Sequence, residues 1–233
     1  ENLTKDNIYV LESPILSNAQ FKKFTMFFKN NHKILDCTFD VNKNLKERLN
    51  QLCSEAEIAV LEGCKHLILS DKKISEKKAA VPMILAFGAI NSRLTNLGIR
   101  GFVSINVQTA EVLDTHSFAV LLGIGATTIN PYIAFDSIHQ RYEKRLFGKL
   151  SYEECVHRYI KSVDNGLLKI MSKMGISVLS SYRGGCNFEA VGLSRALVAD
   201  YFPGMISRIS GIGISGIEKK ILKLHEKAFQ KNI

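Results

Sequence analysis

Apolar residues along this chain fall into two alternating kinds of segment. HKILDCTFD (32–40), KHLILSD (65–71), GFVSINVQT (101–109) and ATTINPY (126–132) are short, mostly apolar runs that end in polar residues, the mark of buried parallel strands. Between the first two, Leu45, Leu49, Leu52, Cys53, Ala56, Ala59 and Val60 recur at helical spacing, with Asn42 or Asn44 as cap and Gly63 as stop. Pro82 opens a helix to about Leu97, closed by Gly98, and 116–122 and 134–146 read as two more. Ser151 and Glu154 form an S-x-x-E capping box that opens a long helix through Met171. GISVLSSY (175–182) reads as a fifth strand, and helices near 187–191, 194–201 and 218–230 complete the chain.

Strands alternating with helices predict an α/β fold with parallel βα units and right-handed crossovers. Five units suit an open sheet or part of a barrel. A barrel-like form is preferred, because no glycine-rich dinucleotide turn follows the first strand. The chain reads as a single domain, with an irregular lead-in (1–31), a βα core (32–210) and an exit segment with a helix (211–233).

In such folds chemistry gathers where strands end. The expected mouths are 38–42, 70–73, 108–111, 130–132 and 180–185, and they carry Asp40, Asp71, Glu111 and Arg183. The turn Arg183-Gly184-Gly185 could hold an anion through its guanidinium and bare amides, or its glycines could simply permit a tight turn. His116 is the one histidine to test as an acid or base, although a helix-start histidine with a structural hydrogen bond is the favoured reading. Cys186, placed at an expected helix N-terminus, is either a reactive thiol or a small buried one. Met171 and Met174 share a helical face and read as core filler.

Other chemistries find less support. GIGISG (211–216) matches the dinucleotide fingerprint by letter, but no second strand with an acidic residue can follow it, so a flexible exit segment is expected. The six histidines contain no H-E-x-x-H, and the five cysteines contain no close pair; no metal site and a reducing compartment follow, the cytoplasm or an organelle. A formal charge of +9 invites nucleic acid, yet the basic residues are scattered and no aromatics interleave with them. A solvated basic face or a contact to an acidic neighbour is the better reading. No signal pattern leads the chain and no apolar run could span a membrane. Glu1 in place of a start methionine suggests a segment excised from a longer polypeptide.

Several phrases together carry a resemblance: ESPIL, LDCTFDV, LCSEAE, LILSD, HSFAVLLGIGATTINPYIAFDSI, GLLKIMSKMGIS and SYRGGCNFEAVGL. The chain resembles the central domain of the glutamate synthase large subunit from about Ser13 to Gly213. That resemblance implies a degenerate relative of the enzyme's flavin TIM barrel. It would join a glutamine amidotransferase domain to an FMN domain holding a 3Fe–4S cluster, and help line the ammonia tunnel between them. Electrons would come from a small reductase subunit or from ferredoxin. By the same resemblance, the segment itself holds no cofactor and no catalytic residue. Thr38 and Phe39, and Ser70 and Asp71, match motifs whose loops approach the flavin side. The alternative is a free-standing barrel-like enzyme or binder of a phosphorylated small molecule at Arg183-Gly184-Gly185.

Overall fold

A computed structural model describes residues 9–230. The chain opens with α1 (Asn18–Phe27), whose capping box pairs Ser17 with Gln20, and then enters β1 (His32–Asp36) and β2 (Thr38–Asp40). Next come α2 (Leu45–Leu61), β3 (His66–Ser70), β4 (Lys78–Ala80), α3 (Met83–Asn96), β5 (Ser104–Gln108), α4 (Thr115–Gly123) and β6 (Ile129–Asn130). Helices α5 (Tyr132–Glu143), α6 (Tyr152–Lys173) and α7 (Leu179–Tyr182) follow. The remaining elements are β7 (Glu189–Leu193), α8 (Arg195–Tyr201), β8 (Ile206–Ile212) and α9 (Ile214–Phe229).

Strands β1, β3, β5 and β6 form one parallel sheet in that order, with Leu35 opposite Leu69 and Leu69 opposite Val107. Leu35, Leu67, Leu69, Ile105, Val107 and Ile129 point to one face, where Leu49 of α2, Phe87 of α3 and Phe118 of α4 join the same buried cluster. The intervening Ile68 faces the other way and packs with Leu16 and with Phe21 and Phe24 of α1. All three crossovers therefore lie on one face, the arrangement that lets a sheet curl toward a barrel. The expected α/β class with parallel βα units holds. The sheet stays open, with no closed barrel among the described residues.

Several expectations are corrected. The 32–40 run is two strands: after Asp36 the chain leaves the parallel sheet, and β2 pairs antiparallel with β4, a strand not anticipated. The lead-in contains α1, and Ile15 forms a parallel bridge to Ile129 beyond β6. The expected fifth strand at 175–182 is a helix end and a short helix. Gly175 at φ +70° lets the Ile176 N–H return to the Met171 carbonyl, closing α6, and Tyr182 then buries its ring with its hydroxyl on the Ala119 carbonyl.

The helix expected at 187–191 is β7, which pairs in parallel with β8. Partners Glu189, Val191 and Leu193 stand opposite Ile206, Ile209 and Ile212, so β8 carries two extra residues taken up in irregular pairing. GIGISG ends β8 and begins α9 and is not a flexible exit. At Gly211 a Cβ would lie 2.1 Å from the Gly192 carbonyl oxygen, so the strands' close approach requires glycine there. Helix α9 starts at 214, not 218, and its Glu218 carboxylate accepts from the Leu45 N–H at 2.6 Å, tying it to the start of α2.

Candidate functional site

The C-terminal ends of β3, β5 and β6 gather the polar residues expected at the mouths. Parallel pairing forces this: Ser70 stands opposite Gln108, and Gln108 opposite Asn130. Their side chains then form one chain. The Ser70 hydroxyl donates to Gln108 Oε1 at 2.8 Å, Gln108 Nε2 donates to Asn130 Oδ1 at 3.1 Å, and Asn130 Nδ2 donates to the Leu16 carbonyl at 2.8 Å.

Asp71, one residue beyond β3, is fully buried. Its carboxylate accepts from the Thr109 hydroxyl at 2.6 Å and the Ala110 N–H at 3.0 Å. Burial pushes the Asp71 carboxyl up from its ordinary range, and those donors hold it back. Burial likewise raises the Tyr132 phenol, with the Asp71 charge adding to it. Lys72 sits 5.8 Å from the Tyr132 ring centroid.

Glu111 completes this end. As a residue it is exposed, yet its carboxylate lies against packed atoms at the start of α3 and accepts from the Met83 N–H at 2.8 Å. That crowding of the carboxylate pushes it up to about 7, against the pull of the Met83 N–H. Met83, Glu111, His116 and Val120 line a cleft of about 240 Å³. Among the described residues His116 hydrogen-bonds no nucleophilic side chain; its ring packs edge-on toward Phe188 at 6.4 Å.

Thr38 and Phe39 are both buried in the antiparallel pair beside the sheet. The Thr38 hydroxyl donates to Asp36 Oδ1 at 2.7 Å, and Arg48 Nε donates to the Thr38 carbonyl at 3.1 Å. Ser70 and Asp71 thus share one cluster with Gln108, Thr109 and Asn130, whereas Thr38 and Phe39 stand to its side. Thr109 and Ala110 as partners of Asp71 were missed. They lie 38 and 39 positions along, and only the strand register brings them together.

Arg183-Gly184-Gly185 does not join this end. Arg183 and Gly184 line a cleft with Lys65, His66 and Ser104, at the starts of β3 and β5, so the turn stands at the opposite end of the sheet. Its amides are occupied: Gly184 N–H donates to the Gly123 carbonyl at 2.8 Å and Gly185 N–H to that of Tyr182 at 3.4 Å. Cys186 is exposed in a bend with φ +51° and starts no helix, because the residues after it enter β7. Met171 is buried as expected, whereas Met174, at the C-cap, is exposed.

At the C-terminal strand ends the residues present fit neither a flavin nor an iron–sulfur cluster. Among the described residues no three cysteine, histidine or carboxylate side chains converge. At the strand ends, a buried carboxylate and a closed hydrogen-bond chain stand where a flavin's phosphate and ring would need free donors and an apolar slot. No described helix is long and apolar enough to cross a membrane.

A parallel sheet with its crossovers on one face, its strand ends tied off by its own side chains, defines a barrel-like α/β domain. The chain belongs to the glutamate synthase central domain family, whose model matches residues 1–194. It is 48% identical over its whole length to the glutamate synthase [NADPH] large chain of Azospirillum brasilense, covering 16% of that chain. It is 39% identical to the corresponding chain of Bacillus subtilis over 94% of its length, covering 14% of that protein. A ferredoxin-dependent glutamate synthase of Pyropia yezoensis is 38% identical over 95% of this chain and 15% of its own. The chain therefore spans about one sixth of the curated relatives it matches.

Proposed function

We propose that this chain is a noncatalytic linking domain of a glutamate synthase, joining the glutamine amidotransferase and FMN domains of one polypeptide and helping to line the ammonia passage between them. On this reading it is a single domain of a longer enzyme that makes glutamate from glutamine and 2-oxoglutarate. FMN and a 3Fe–4S cluster belong to the neighbouring domain, in the cytoplasm or an organelle. Electrons would arrive from a small reductase subunit or from ferredoxin; glutamate synthases named for NADPH and for ferredoxin both stand among the relatives.

The observation that carries the reading is the contrast between satisfied polar strand ends and an unsatisfied apolar surface. Ser70, Asp71, Gln108 and Asn130 spend their polar atoms on one another and on nearby backbone and Thr109. Val191 of β7 and Ile206 and Ile209 of β8 meanwhile expose 65%, 54% and 62% of their surface, on strands that sit at one side of the core. Such a patch suits contact with another domain. Residues Thr38, Phe39, Ser70 and Asp71 would then hold the loops that face the flavin side, in a positioning role.

The test is coupling in the full polypeptide carrying Ile209→Glu. Glutamine hydrolysis should persist while glutamate formed per glutamine hydrolysed falls several-fold, because ammonia escapes a loosened junction. An unchanged ratio, or turnover of glutamine or 2-oxoglutarate by the 233-residue chain alone, would contradict the reading.

A further inference from the structure

The cleft at the N-terminal end of the sheet carries charge that no described carboxylate answers with an ion pair. It has a volume of about 580 Å³, and its charged lining consists of Lys65, Arg100 and Arg183, without a carboxylate. His66, also in the lining, is neutral at physiological pH: burial and the neighbouring His32 hold it down to about 4, and its Nδ1 lies 2.7 Å from the Ser104 hydroxyl.

The two guanidiniums differ in how they are used. Arg100 donates through Nε to Asn91 Oδ1 at 2.7 Å and through its terminal nitrogens to the Val103 and Gly125 carbonyls at 2.7 and 3.3 Å, all neutral acceptors. Arg183 Nε is buried and has no acceptor, the one such side-chain nitrogen or oxygen among the described residues. Neither arginine forms an ion pair with a described carboxylate. Burial lowers both, and in Arg100 the charge of Arg183 lowers it further; Arg183 also borders a second cleft lined by Glu12 and Asp164, but no described carboxylate reaches ion-pair distance of either arginine. An unanswered buried guanidinium is costly, and a planar Arg fork suits an oxyanion better than any neutral group.

We propose that this cleft is an oxyanion site, in which a phosphate or carboxylate group accepts hydrogen bonds from the terminal nitrogens of Arg183, which no described residue engages, and is neutralised by Arg100 and Lys65. The site lies at the end of the sheet opposite Asp71, and the proposal stands independently of the linking role. A free oxyanion and an acidic side chain from elsewhere in the same polypeptide share the required chemistry.

The probe is inorganic phosphate against chloride at matched ionic strength. The readout is amide hydrogen exchange of residues 99–104 and 182–185 in the full polypeptide. Arg183→Gln tests the site, surface-exposed Lys65→Glu tests it without touching packing, and Arg93→Gln, at a separate ion pair with Glu57, is the control. Phosphate at ten times its Kd should slow these amides about tenfold, and Arg183→Gln should abolish the effect. That outcome establishes a free oxyanion as occupant. Amides already slow without phosphate, indifferent to it, and quickened by both Arg183→Gln and Lys65→Glu would establish an intramolecular carboxylate, and the proposal stands. Slowing by phosphate that survives Arg183→Gln would overturn it. So would indifference to phosphate with Lys65→Glu silent, whether or not Arg183→Gln loosens the turn.

Discussion

Two parallel βα regions of this molecule both carry apolar strand residues and differ in how they are finished. In β3 and β5, Leu67, Ile68, Leu69, Ile105 and Val107 are all fully buried, covered by helices on one face and, at Ile68, by α1 on the other. In β7 and β8 only Ala190 is buried, and α9 has no buried residue although Ile214, Ile217, Ile221 and Leu222 lean against the core. The first region is completed by its own chain. The second carries the same kind of residues without enough neighbours to cover them. What this teaches is that an apolar strand pattern reports a need for burial, and the partner that meets it need not lie within the same segment.

The largest expected effect comes from truncating the finished region. Phe87→Ala removes a fully buried ring beneath the sheet and should cost about 3–5 kcal/mol, whereas Ile209→Ala on the open strand should stay within about 0.5 kcal/mol in this chain. Denaturant midpoints of both variants check the pair; equal losses would break the contrast.

A smaller and more local effect is expected at Gly211, where a Cβ meets the Gly192 carbonyl backbone at 2.1 Å. Gly211→Ala should cost about 1–3 kcal/mol, and the gain in amide exchange should be confined to residues 189–212, leaving 66–70 and 104–108 protected. Exchange rising equally in both sheets would show the second region to be welded to the first.

The smallest effect tests the strand ends. The Glu111 carboxyl is raised to about 7 when folded, from an ordinary value of 4.5, so the folded state holds its proton more tightly than the unfolded chain. The sign follows: its contribution to stability is fully present below about pH 4.5 and is lost as pH rises through about 7. Melting temperatures of the parent chain should therefore fall relative to Glu111→Gln between those values. A difference constant over that range would remove Glu111 from the account.

How much of this could be read beforehand depended on whether local pattern and tertiary partner agreed. Strand β3 was legible because two-sided burial leaves the unbroken apolar run Leu67–Leu69, β5 because Ile105 and Val107 alternate with polar residues, and α2 because its stripe, its Asn44 cap and Gly63 agree. Ser70 and Asp71 were legible as polar residues ending such a run. The 175–182 segment misled because Ile176 and Val178 favour a strand, but Gly175 bends the chain into a helix cap where no sheet edge stands. That error also placed Arg183 at the wrong end of the sheet. Strand β8 was invisible because its paired isoleucines at 206, 209 and 212 recur every third residue, which masks the period of two. The cleft of Lys65, Arg100 and Arg183 joins three distant segments, and no local pattern announces it.

The most direct test of the central claim is the chemical accessibility of the open strand within the full polypeptide. Ile209→Cys would be introduced and its alkylation rate compared with the rate in denaturant. If the β7–β8 face is covered by a neighbouring domain, the native rate should be at least about tenfold slower. A native rate equal to the denatured one would contradict the account, since the face would then be open in the assembled protein as well.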